Sequence, residues 1–354
     1  MKILLAKCIF FFVFIQYSIV ALSQIDNKDN RQFFNHLYNF EFPKANSLLS
    51  TIDSIQEASQ YNFLKSHFMR WYYLPIHEQD QETLSQYRKY LEATGNEDIE
   101  LDYLFVNSAL LKAEFNYNQG NYYKAFQNGS SVYDIVKDNL EQAPEKEELM
   151  FLSALYHYYY QYYKNENALY GSLMWLFKEG NKETGLKWLK TVAKGESIAN
   201  TEALIYLSHI YLRLENNIDS AFKYAEKLHR IYPENMKFYE VYIESAISNN
   251  INNESVQLKI EKLKNSEKVY FQKYGLCYGA IFRTLKNNYD SNKKIVELKN
   301  ALSFLERNGG GDHLSSLIYN SLYQLTGEEE YLKQKKKHEV YQFALTGYLK
   351  SQHN

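Results

Sequence analysis

The sequence is poor in the residues that staple, kink or interrupt a chain: two cysteines, four prolines and 14 glycines in 354 residues. Two cysteines, Cys8 and Cys277, exclude a disulfide framework and any Cys-x-x-Cys redox or zinc motif. The prolines, Pro43, Pro75, Pro144 and Pro233, each fall at a boundary between apolar-periodic segments, where helices tolerate them. No strand-like alternation survives along the chain, and Leu149 to Lys164 is too long and too evenly apolar for a strand. An excess of positive charge is also missing. Lys and Arg number 40 against 42 Asp and Glu, so no net basic field invites nucleic acid. Known catalytic signatures are absent as well. The His-Glu pairs at His77 and His338 lack a second zincin histidine, there is no Gly-x-Ser-x-Gly elbow and no Walker lysine, and Gly309 to Gly311 lack the companions of a phosphate cradle. Acids and histidines are scattered, with no pairing to single out. The expectation is a non-catalytic protein with no cofactor and no metal.

The first residues, MKILLAKCIFFFVFIQYSIVALSQ, place Lys2 and Lys7 ahead of an apolar run that ends in small residues, the layout of a secretory signal peptide. Ala21 and Ser23 predict cleavage after Ser23, giving a signal at 1–23 and a mature chain at 24–354. Gln16, Tyr17 and Ser18 interrupt the run, which is too short for a spanning helix. Lys7 stands where a lipid-bearing Cys8 would need a small residue. The sequence thus predicts export to the periplasm, or to the cell envelope and beyond, with a membrane role only for an uncleaved signal. Cleavage removes two lysines and no acid, so a net charge of −2 becomes −4.

What is present is helical periodicity. In Thr201 to Asn235, Leu204, Leu207, Tyr211 and Leu214 recur at the spacing of one helical face, and Ile218, Ala221, Phe222, Ala225 and Leu228 do so after a polar turn. Ala221 opens the second helix where two helices come closest, Pro233 ends it, and Asn235 is a cap for the next. A fainter copy runs over 106–136, with Ala113, Gly120, Tyr122, Ala125, Gly129 and Val132 at matching intervals and its second helix expected to continue towards Gln142. These units resemble the tetratricopeptide (TPR) repeat, a helical hairpin of about 34 residues. The order LYNFEFPKANSLL, ETGLKWLKTVAKGE, TEALIYLSHIYL is further similar to exported bacterial TPR proteins of undefined function. The resemblance implies an all-α solenoid with room for about nine or ten units. Residues 165–180 read as an insertion and 312–350 as capping helices, with Asp312 as an N-cap.

In TPR proteins the first helix of each repeat lines a concave groove. Carried onto the two best repeats, the resemblance implies that exposed partner-binding positions are Asn107, Leu110, Glu114, Tyr117 and Asn118, and Glu202, Ile205, His209, Leu212 and Arg213. Arg213 and the asparagines suit a peptide carboxylate or backbone. The implied function is a scaffold for a protein or peptide, with no nucleic acid bound. A second reading comes from tyrosine, of which there are 34. In Tyr156 to Tyr163 successive residues turn by about 100°, so some should face solvent, the insertion or a ligand such as a glycan.

Overall fold

The computed structural model describes residues 28–52, 58–73, 81–93, 102–118, 121–166, 177–249, 251, 253–285, 290–309 and 311–338. The predicted signal, the middle of the insertion (167–176) and the chain beyond 338 lie outside this set. Among the described residues the protein is all-helical and has no strand. The chain forms two units, divided between Leu207 and Ser208 apart from the undescribed residues 75–77.

Unit 1 contains α1 (Lys28–Tyr38), α2 (Phe42–Leu49), α3 (Ala58–Tyr73), α4 (Gln81–Ala93), α5 (Asp102–Asn118), α6 (Tyr122–Ser130), α7 (Tyr133–Asp138), α8 (Glu147–Glu166) and α9 (Lys182–Val192). The pairs α1–α2, α3–α4, α5–α6 and α8–α9 pack closely, and α1 also touches α3. The sequence explains the α8–α9 contact. Asn181 caps α9 by accepting from the Thr184 amide. Gly185 then brings α9 so close that a Cβ there would stand 2.6 Å from the Ala154 carbonyl oxygen and from the Tyr158 amide. The second helix of the 106–136 unit does not run to Gln142. It breaks at Ser131 and Val132 before α7, because Ser130 and Ser131 turn their hydroxyls onto the carbonyls of Gln127 and Asn128.

In the tyrosine run, Tyr156 meets the insertion, as expected for some of these residues, and Tyr162 is half-exposed. Tyr156, Tyr158, Tyr159 and Tyr160 are all buried. They stack i to i+4, Tyr156 on Tyr160 and Tyr158 on Tyr162, and the Tyr156 hydroxyl donates to the Lys178 carbonyl at 2.6 Å. Packing from neighbouring helices and the end of the insertion covers Tyr156, Tyr158, Tyr159 and Tyr160.

Helix α10 (Ala199–His209) crosses the unit boundary and continues into a π-helical turn, Ile210–Leu214. Unit 2 then holds α11 (Ile218–Ile231), α12 (Met236–Ser248), α13 (Glu254–Lys264), α14 (Val269–Thr284), α15 (Ser291–Arg307), α16 (Asp312–Thr326) and α17 (Glu329–Lys337). Side-chain caps start four of these: Asn217 for α11, Asn235 for α12, Asn253 for α13 and Asp290 for α15. Asp312 is not a cap; Gly311 holds that place and Asp312 is the first helical residue. Ala221, Ala225 and Leu228 form the buried stripe of α11. Each helix packs on the next, and α12–α14 and α14–α16 also touch.

Candidate functional site

In unit 2 the polar residues of α12 and α14 meet in one seam. Glu240 and Glu244 are four residues apart on α12, and Tyr270, Tyr274 and Tyr278 recur every four on α14, so each set shares a helical face. Glu244 is fully buried. Both terminal nitrogens of Arg213, on the π turn, donate to its two oxygens, and the Tyr278 hydroxyl donates to Oε2 at 3.1 Å. A bidentate, charge-assisted arrangement of this kind is what a buried carboxylate requires. One turn earlier, Lys237 Nζ donates to Glu240 Oε2 at 2.8 Å and meets the Tyr270 hydroxyl. The ammonium also lies over the Tyr270 ring, 4.6 Å from its centroid. Tyr270 donates to Tyr274 at 3.3 Å, and the Tyr274 hydroxyl pairs with His313 Nε2, on α16, at 2.8 Å.

Electrostatics distinguish the two ends of the seam. At the Arg213 end, burial first and then the charges of Arg213 and Lys237 lower His209 to about 3, so it is a neutral ring at physiological pH. Burial raises Glu240 above the usual carboxylate range against the opposing pull of Lys237. The other end opens towards solvent: Lys237, Tyr270 and His313 are half-buried. It offers an ammonium, two hydroxyls and an imidazole, which together donate and accept hydrogen bonds.

Unit 1 has a closed counterpart. Arg70, on α3, is 1% exposed and donates through Nε to both oxygens of Glu114, on α5, at 3.0 and 3.1 Å. Glu202, on α10, is fully buried and accepts from the Tyr38 hydroxyl at 2.7 Å. Burial opposes the charge of Arg70, but the fields of Glu114 and Glu202 more than offset it. Burial likewise pushes Glu202 up to about 7 against the attraction of Arg70, and its Oε2 has no hydrogen-bond partner among the described residues.

That shift makes stability fall with pH. The Glu202 proton is retained in the folded chain and lost from the unfolded one between the ordinary value near 4.5 and about 7. The resulting stabilisation is therefore fully present below the lower value and lost as pH rises through the upper one. Glu202→Gln keeps the acceptor for Tyr38 but cannot ionise. Urea denaturation at pH 5 to 8 should show wild type losing up to roughly 3 kcal/mol relative to this variant. A pH-independent difference would remove Glu202 as the titrating group.

Against this geometry the positions implied by the TPR resemblance divide. Leu110, Glu114, Glu202, Ile205 and Leu212 are buried, not exposed. Two of them, the carboxylates Glu114 and Glu202, face the same arginine, which periodicity does not single out. His209 and Arg213 do lie in the unit 2 seam, but Arg213 is committed to Glu244. The side chains of Asn107, Tyr117 and Asn118 lie outside the described residues. Sequence reasoning missed Lys237, Glu240, Tyr270, Tyr274 and His313, although tyrosines every four residues on a helix are a signal that could have found the seam.

Among the described residues no group of three or more His, Cys, Asp or Glu side chains could hold a metal ion, and no helix is long and apolar enough to cross a membrane. Comparison with known proteins finds no family model, no curated protein and no solved structure that matches the chain.

Proposed function

We propose that the chain is an exported α-solenoid of TPR-like hairpins that acts as a non-catalytic scaffold for a protein or peptide segment. One observation carries this reading. Every second helix of unit 2, α12, α14 and α16, touches the next, and together they join Lys237, Tyr270, Tyr274 and His313 into one partly open polar line. Groups contributed by consecutive hairpins at fixed spacing match the backbone of an extended segment. The engaged Arg213–Glu244 pair, whose carboxylate is fully buried, holds the line in place without touching the partner.

Of the tyrosines that suggested a glycan, Tyr156, Tyr158, Tyr159 and Tyr160 are buried in helix packing and present no open aromatic face for that ligand. Selection of a peptide library against the full-length chain tests the scaffold reading. Selected peptides should bind at least about tenfold more weakly, some 1.4 kcal/mol, to Tyr270→Ala and His313→Ala. Binding to Lys223→Met, a change at an exposed position of α11, should be unaltered. Melting temperatures of all variants report whether the fold survives. Peptides insensitive to both seam variants would place recognition elsewhere.

A further inference from the structure

Between α4, α5 and α6 of unit 1 lies a half-open recess of about 370 Å³, at the small end of the roughly 300–1,000 Å³ of ligand clefts. Its floor is apolar: Leu91 and Phe115 are both buried. Its walls are cationic. Arg88, Lys112 and Lys124 line it against the single carboxylate of Glu92, leaving two net positive charges around a concave recess, an arrangement that attracts anions. The Arg88 guanidinium lies over the Phe115 ring, 5.5 Å from its centroid, and Tyr87 meets the same ring edge-on at 5.3 Å.

The remaining lining is amide. Asn116 donates from Nδ2 to the Lys112 carbonyl at 2.8 Å, which leaves its Oδ1 as an acceptor. Asn121 precedes α6 but makes no side-chain cap bond to it, unlike Asn181, Asn217, Asn235 and Asn253 at the starts of their helices. Asn128 adds a third amide.

We propose that this recess binds a small hydroxylated organic anion of monosaccharide size, a sugar acid or a sugar phosphate. The oxyanion meets Arg88, Lys112 and Lys124; the ring hydroxyls meet Asn116, Asn121 and Asn128; the C–H face lies on Leu91 and Phe115. Burial lowers Lys112 while Glu92 raises it, so the half-buried ammonium carries a desolvation cost that a bound anion offsets. The three amides and the apolar floor would be idle with a bare ion, which is why the ligand is organic. This site lies on other helices than the seam, and the inference does not rest on the scaffold reading.

Isothermal titration of the full-length chain with glucuronate, glucose 6-phosphate, glucose and inorganic phosphate, at matched ionic strength, tests it. At least one of the two acidic sugars should bind at least about tenfold more tightly than either glucose or inorganic phosphate. Which of the two prevails distinguishes a carboxylate ligand from a phosphate ester. Lys112→Met and Lys124→Met should each weaken that binding about tenfold or more, whereas Lys187→Met, exposed on α9, should not. Lys124 is exposed, so its variant remains informative even where Lys112→Met disturbs the fold. Absence of binding by both acids up to about 10 mM, equal binding of glucose, or affinity unchanged in Lys124→Met would each overturn the proposal.

Discussion

Arg70→Met should cost the protein about 3–5 kcal/mol at neutral pH, the usual penalty for removing one partner of a buried ion pair. The side chain is 1% exposed, and its guanidinium holds Glu114 directly while its charge also attracts Glu202. Methionine fills similar volume, so the loss is electrostatic. Two carboxylates then lose the guanidinium that both face, and the folded chain relieves their charge by taking up protons. Both would titrate above their unfolded values, so the added penalty is small near pH 4 and grows as pH rises past them. Urea denaturation at pH 4 and pH 7.5 measures the difference. Adding Glu114→Gln should recover part of the pH 7.5 loss, because one stranded charge is gone. A cost below about 1 kcal/mol at both pH values would mean that the cluster is open to water.

Gly275→Ala should be strongly destabilising for a single added methyl group. A Cβ there would stand 2.2 Å from the amide nitrogen of Lys264 and 2.6 Å from its Cα. Those are backbone atoms at the end of α13, and no rotamer change can move them aside. Helix propensity alone would favour alanine by about 1 kcal/mol. The forced separation of α13 from α14 should reverse that sign and cost about 1–3 kcal/mol or more. Gly279, one turn later on the same helix, is the internal control. Its nearest neighbour is the Ile260 side-chain methyl at 3.2 Å, which can give way, so Gly279→Ala should be near neutral. Thermal denaturation of both variants decides the matter, and equal shifts would contradict the close approach.

Much of the helical layout is legible in the amino-acid sequence. Asn235, read from the sequence as the cap of the next helix, does cap α12. The departures have local causes. Ser130 and Ser131 compete for carbonyls and end α6 early, and Asp312 enters its helix instead of capping it. Of the tyrosines in 156–163, expected to meet solvent, the insertion or a ligand in part, Tyr156, Tyr158, Tyr159 and Tyr160 are buried, and Tyr156 bonds the insertion at Lys178; periodicity shows how many faces a helix has but not how many are covered.

The functional residues divide along the same line. From sequence come the all-helical class and the Asn235 cap, since each rests on interactions within a few residues or on composition. Tertiary structure alone decided that Glu114 and Glu202 face one arginine, and that Arg213 is spent on Glu244 rather than presented to a partner. It also decided that Lys237, Tyr274 and His313 lie along one line and that Arg88, Lys112 and Lys124 surround one recess. Charged residues read as solvated on a helix until a neighbouring helix covers them, and which helix covers which is set by the packing of segments far apart in the chain.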